Sequence, residues 1–180
     1  MSDLSPEEAA LLRAVCADRD ADLPRLVYAD FLDDAGRPGR AGFIRLQCDW
    51  HRSLTDPAHA AFANHLFNRL HDHVLAHGDP LPPDFAGAVG WADCRRGLPT
   101  DALVRADDLR GPLADVFLQA PLARAVVRDA TPVRLDELAD LPPATAAGVR
   151  ELRLVRPGGF PPGLHRRLRE RFGGALGVEP

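Results

Sequence analysis

LARAVVR (Leu122–Arg128) and VRELRLV (Val149–Val155) share one pattern, apolar-x-x-apolar-x-apolar, and begin 27 residues apart, at 122 and 149. Apolar residues alternating over so short a run mark a β-strand with one buried face. The buried positions are then Leu122, Ala125 and Val127 in the first run, and Val149, Leu152 and Leu154 in the second. GLPTDALV (Gly97–Val104) aligns as an earlier strand about 23 residues before the first of these, and ALGV (Ala175–Val178) closes the series. Helical patterns lie between the strands, over Asp107–Gln119, Leu135–Ala147 and Leu164–Phe172. Strands that alternate with helices predict a parallel sheet, because a parallel crossover needs the length that a helix supplies.

A period of roughly 20–29 residues with one strand and one helical segment per unit is the pattern of leucine-rich repeats. One unit cannot bury its apolar face alone, so neighbours stack and their strands join. The asparagine expected after each strand is missing: Ala130 follows the first and Pro157 the second. A small open α/β layer gives a similar pattern. In a leucine-rich repeat, residues alternating with the core positions point to the exposed concave side of the sheet. They are Asp101, Leu103 and Arg105, then Arg124, Val126 and Arg128, then Glu151, Arg153 and Val155. Mixed charge around an apolar centre is the composition of a protein-binding face. Arg124, Arg128 and Arg153, with Val126 and Glu151, are its candidate contact residues.

Upstream of Gly78 four helices are expected. Ser5-Pro6-Glu7-Glu8 reads as a capping box, with Ser5 accepting from the Glu8 amide and the Glu8 side chain reaching back. Leu11, Leu12, Val15 and Cys16 form the inner stripe of the first helix. The second opens at Asp22 or Leu23 and stops at Gly36, with Leu23, Leu26, Val27, Phe31 and Leu32 on its inner side. A third runs from about Arg40 to Ser53 and buries Phe43, Ile44, Leu46 and Trp50. Asp56-Pro57 caps the fourth, which carries Phe62, Leu66, Leu70 and Val74 down to Gly78. Short loops favour antiparallel neighbours and hence a bundle. The expected fold is α+β: an N-terminal helical bundle (1–78), a linker and entry segment (79–96) whose Gly- and Pro-rich part is 78–92, and a short leucine-rich-repeat-like α/β layer with parallel strands (97–180). Phe85 and Trp91 are expected to anchor the linker.

LLRAV (Leu11–Val15), PRLVYADFLDDAGRP (Pro24–Pro38) and RAGFIRLQ (Arg40–Gln47) together resemble the repeat-companion domain. That is a short helical module of planctomycete and myxobacterial proteins, with a pattern near RLVYADWLEE-GDP-RAEFIRLQ. The likeness covers about residues 8–48. Phe31 stands where tryptophan is usual and Gly42 where glutamate is usual; Gly42 removes a carboxylate and slightly weakens its helix. The resemblance implies a place beside repeat arrays, often leucine-rich ones. It implies neither a catalytic activity nor a defined ligand.

The remaining features mostly exclude functions. A net charge of −4 argues against a general affinity for nucleic acid, which needs a basic surface. All 22 basic residues are arginine, a coding bias that weakens any argument from the choice of arginine over lysine. No stretch reads as a signal peptide and no apolar run reaches the length of a membrane span, so a cytoplasmic location is expected. Cys16, Cys48 and Cys94 are odd in number and far apart, which fits buried free thiols. Asp30, Asp33 and Asp34 crowd one face near a helix C-terminus, where the macrodipole disfavours them. They are read as a solvated face, or as a grip on Arg37, Arg40 or a partner's arginine. Tyr28, the sole tyrosine, is expected at the edge of the bundle. His73 and His77 share a helix face with His65 and His71 nearby, but no third metal ligand is evident. No phosphate-binding, dinucleotide-binding or nucleophile-elbow motif occurs. The expectation is no catalytic residues, no cofactor and no metal. The favoured function is a non-enzymatic protein–protein interaction module, an adaptor or a subunit of a larger assembly. The alternative is nucleic-acid binding by the Leu23–Trp50 helix pair, and a homodimer through exposed sheet edges is a further option.

Overall fold

The computed structural model describes residues 4–78, 89–109, 112–155 and 161–179. The fold is α+β, with a helical N-terminal part followed by a five-stranded sheet. Four helices come first: α1 (Pro6–Ala17), α2 (Leu23–Asp34), α3 (Pro38–Thr55) and α4 (Ala63–His77). Next come β1 (Val89–Arg95), β2 (Leu98–Arg105), α5 (Leu113–Gln119), β3 (Arg124–Arg128), α6 (Pro132–Ala139), α7 (Pro143–Ala147), β4 (Glu151–Val155), α8 (Pro162–Phe172) and β5 (Leu176–Glu179). The chain divides into two packed units. One takes α1–α4 together with the segment Cys94–Leu98, and the other takes the rest of the sheet with α5–α8.

In the helical unit each helix packs on the next. Ser5 Oγ accepts from the Glu8 amide at 3.1 Å, the first half of the expected capping box. The second half does not form. The Glu8 carboxylate is buried and accepts instead from the Tyr28 hydroxyl and from Arg37 Nη1, each at 2.9 Å. Tyr28 therefore sits in the core rather than at its edge, and burial pushes its phenol up to about 12.

The inner face of α2 differs from the one expected. Arg25, Tyr28, Ala29 and Leu32 are buried, whereas Leu23 and Val27 are exposed and Leu26 and Phe31 are half-buried. The physical reason is that two polar side chains find partners inside. Arg25 donates at 2.7 Å to the carbonyls of Ala21 and Arg19, and Tyr28 reaches Glu8. Gly36 adopts φ +71°, and the Arg37 amide donates back to Leu32 O at 2.8 Å, which ends α2 before Pro38 opens α3.

Asp56 accepts from the Ala58 amide at 2.9 Å and so caps the turn before the 3-10 segment Ala60–Phe62, not α4 itself. Phe62 consequently lies off the buried stripe and is exposed, while Leu66 and Val74 are half-buried and Leu70 is buried. Gly42 has a packing role that its effect on helix propensity conceals. A Cβ there would come within 2.8 Å of the His73 ring, and one on Gly39 within 3.0 Å of His77.

In the sheet unit, β2–β3, β3–β4 and β4–β5 pair in parallel, in the order β1-β2-β3-β4-β5. Ala102 aligns with Ala125 and Leu152, and Val104 with Val127 and Leu154. All six are buried in one cluster with Leu113 and Phe117 of α5, Leu135 and Leu138 of α6, and Leu164, Leu168 and Phe172 of α8. A fully buried leucine or phenylalanine stabilises by about 1.5–3 kcal/mol, so this cluster dominates the stability of the unit. The expected core positions Leu122 and Val149 also belong to it. The helical pattern over Asp107–Gln119 resolves into a short 3-10 turn and α5, and the one over Leu135–Ala147 into α6 and α7.

Val89–Arg95 is a strand, β1, within the segment expected as linker and entry to the sheet. Phe85, Pro157 and the Trp91 side chain lie outside the described residues. β1 and β2 are joined by two residues, Arg96 at φ +51° and Gly97 at φ +82°. Two consecutive positive φ angles give the turn whose twist suits a hairpin.

That turn is held on α3. The Gly97 amide donates to Gln47 Oε1 at 3.2 Å and Cys48 Sγ lies 3.9 Å from Arg96 O. A Cβ on Gly97 would stand 2.4 Å from Ile44 Cα. Gly97→Ala is therefore expected to destabilise the helical unit by on the order of 3 kcal/mol, from left-handed strain and overlap with α3 backbone together. Urea unfolding followed by circular dichroism measures it; a loss under about 0.5 kcal/mol, the ordinary surface range, would show that the turn is not seated on α3.

Candidate functional site

The face of the sheet opposite the core carries three rows set by the register. Asp101, Arg124 and Glu151 form the first, Leu103, Val126 and Arg153 the second, and Arg105, Arg128 and Val155 the third. The side-chain alternation expected for this face holds at every position except Asp101, which is buried. The Arg124 guanidinium lies over that carboxylate and donates from Nε at 2.5 Å, while Thr100 Oγ1 is 3.3 Å away. On β4, Arg153 Nε donates to Glu151 at 2.5 Å. In the third row Arg105 pairs with Asp108 at 2.9 Å. Arg128, directly beside it in register, is exposed and makes no ion pair with any described residue. Leu103, Val126 and Val155 are half-buried. A shallow recess of about 250 Å³ opens between Arg124, Val126, Glu151 and Arg153.

The acidic group on α2 is largely used within the helical unit. Arg45 spans it, donating from Nη2 to Asp30 and from Nη1 to Asp33, each at 2.6 Å. These two carboxylates hold the Arg45 guanidinium above its usual pKa. The partners expected, Arg37 and Arg40, do not serve here, and Arg37 is taken by Glu8. Spacing explains the difference, because α3 lies alongside α2 and Arg45 stands about two turns into it, whereas Arg37 precedes the helix and Arg40 lies in its first turn. Asp34 is exposed and makes no ion pair among the described residues.

The histidines on α4 do not converge on a shared point. His73 Nε2 lies 2.6 Å from Gly39 O and His77 Nδ1 lies 3.0 Å from His73 O, so both nitrogens donate to carbonyls. The two rings stack at 4.2 Å. Among the described residues no group of three or more His, Cys, Asp or Glu side chains could hold a metal ion, and no helix is long and apolar enough to cross a membrane. Burial pushes the Cys16 thiol up to about 11 and the Cys48 thiol up to about 12, which suits packing rather than nucleophilic chemistry.

One polar cluster has no counterpart in the sequence reading. Arg96, at the hairpin tip, donates to Asp20 O, and its Nη2 donates to His51 Nε2 at 2.6 Å. Its Nε lies 3.3 Å from Asp22 Oδ1, an ion pair without hydrogen-bond geometry. The Arg-Gly turn signal was present in the sequence, but its partners lie 45 and 76 residues away, and no local spacing reports them.

His51 accepts the Arg96 hydrogen bond only when Nε2 carries no proton. Burial, then the positive charges of Arg96, Arg95 and Arg25, lower the His51 pKa from 6.5, with Asp22 opposing them. The unfolded chain thus binds this proton more readily than the native one. The His51 contribution to stability is complete above pH 6.5 and is lost as pH falls below it. Urea midpoints measured between about pH 7 and pH 5.5, above the carboxylate range, are expected to decline in wild type. The decline is expected to flatten in His51→Gln; an equal decline in both would show that His51 does not report on the hairpin tip. No protein-family model, curated protein or solved structure matches the chain.

Proposed function

We propose that this chain is a non-enzymatic protein-interaction module, an adaptor or a subunit of a larger assembly in the cytoplasm. Its helical part is of the repeat-companion type and its sheet of the leucine-rich-repeat type. The observation that carries the reading is the third row of the exposed sheet face. Arg105 and Arg128 are direct neighbours there, and only Arg105 has a carboxylate of its own among the described residues. Like charges side by side on adjacent strands are unfavourable, and an added carboxylate relieves them. Half-buried Leu103 and Val126 lie next to that pair and supply apolar area. An acidic and partly apolar segment of another protein complements such a face.

Nucleic-acid binding by the Leu23–Trp50 pair has less support. Arg45 is spent on Asp30 and Asp33, and Arg52 on Asp49 and Asp22. Phosphate contacts by either would first require breaking these pairs.

Arg124 covers the buried Asp101 carboxylate, so its reversal would strand that charge and endanger the fold. The clean variant is Arg128→Glu with Arg153→Glu. In a pull-down from native lysate, wild type is expected to retain one stoichiometric partner that the double variant loses, with the thermal midpoint unchanged. A partner held equally by both proteins would remove the sheet face from the reading. No captured partner would remove the adaptor reading itself.

A further inference from the structure

A second recess, of about 240 Å³, lies along the seam between α3 and the start of α4. Its walls are Arg52 of α3, His59 from the turn, and Phe62, His65, Leu66 and Arg69. His65, Leu66 and Arg69 belong to α4, and Phe62, the last residue of the 3-10 segment before it, lines the same recess, so two apolar and two basic groups meet there. Phe62 is 57% exposed and Leu66 half-buried, so an aromatic ring and an aliphatic side chain are both open to a ligand.

Charge at this recess is unevenly committed. Asp49, the carboxylate on the wall, is bound by Arg52 Nη1 at 3.2 Å, and Arg52 also reaches Asp22 at 3.4 Å. His59 is bound to Asp56 at 2.9 Å. Arg69 and His65 make no ion pair or hydrogen bond with any described residue. Among the described residues that line the recess, Arg69 is therefore the arginine left open, about one turn along α4 from Leu66.

A volume below the roughly 300–1,000 Å³ of cofactor and drug-sized pockets suits one side chain. An internal acidic residue offers a carboxylate without an apolar group, and an internal apolar residue offers the reverse. A chain's last residue has both on one unit, and capture of a terminal carboxylate is a recurring mode of peptide recognition. We infer that this recess binds the apolar carboxyl-terminal residue of a partner polypeptide. Its side chain packs on Phe62 and Leu66, and its carboxylate meets Arg69 with His65 as a second donor. This binding does not draw on the sheet face and stands or falls without it.

The test is a titration of the full chain with N-acetyl-L-phenylalaninate and, separately, with the neutral N-acetyl-L-phenylalaninamide, followed by amide chemical shifts. The anion is expected to move the resonances of residues 62–69 and to saturate in the millimolar range, as a single anchored residue does. The neutral amide is expected to bind at least about tenfold more weakly, the loss of one charge-assisted contact. Arg69→Gln is expected to weaken the anion by a similar factor, and Phe62→Ala to remove both ligands. Both side chains are exposed, so the spectrum elsewhere is expected to stay unchanged. No shift with the anion at about 10 mM, equal binding of anion and amide, or an Arg69→Gln protein that binds as wild type does, would each overturn the assignment.

Discussion

Ala102, Ala125 and Leu152 lie abreast on one side of the sheet, with Val104, Val127 and Leu154 abreast beside them, and none has more than a trace of solvent contact. Their common burial fixes the register of three parallel strands. A slip of one residue would send Arg124, Arg128 and Arg153 inward and expose the apolar set, at a cost of several buried side chains. The rows on the open face are a by-product of that constraint. Arg105 and Arg128 are neighbours because Val104 and Val127 must be.

The helical unit depends on the same term but spends it differently. Glu8, Arg25, Gln47 and Ser53 are buried there, and each finds a partner: Tyr28 and Arg37, the carbonyls of Ala21 and Arg19, the Gly97 amide, and Trp50 O respectively. Exposed pairs such as Arg45 with Asp30 and Asp33 add little by comparison, since surface ion pairs contribute about 0.2–1 kcal/mol. The polar interior makes the arrangement specific. Arg25 has two carbonyls to bind only when the loop between α1 and α2 follows one path.

This contrast explains what the sequence disclosed. Strand positions such as Leu152 and Leu154 were legible because alternation is a local signal and nothing polar competes for the buried face. α2 was misread because Leu23 and Val27 satisfied the apolar pattern while Arg25 and Tyr28 took the interior through contacts with Glu8 and the preceding loop. Glu8 itself was legible as a backbone cap but not as a buried acceptor, because Arg37 lies 29 residues away. β1 was hidden by the glycines and prolines around it. Of the candidate site, the row positions of Arg124, Val126, Arg128, Glu151 and Arg153 could be derived from the strand period. The bond from Arg124 to Asp101, and the lack of an ion pair at Arg128, depend on neighbouring strands and could not.

The seam between α3 and α4 has a consequence for how this sequence can drift. His73 is held by Gly39 O, its ring stacks on His77, and the pair fills space left by the missing side chains of Gly39 and Gly42. Knob and hole here belong to different helices, about 34 positions apart. A methyl gained at 42 has to push the far end of the His73 ring aside and strain its bond to Gly39 O, and an alanine at 73 leaves a void that a larger residue at 42 would fill. The four positions are therefore coupled, and a change at 42 is felt at 39 through the His73 ring, which packs at Gly42, bonds Gly39 O and stacks on His77.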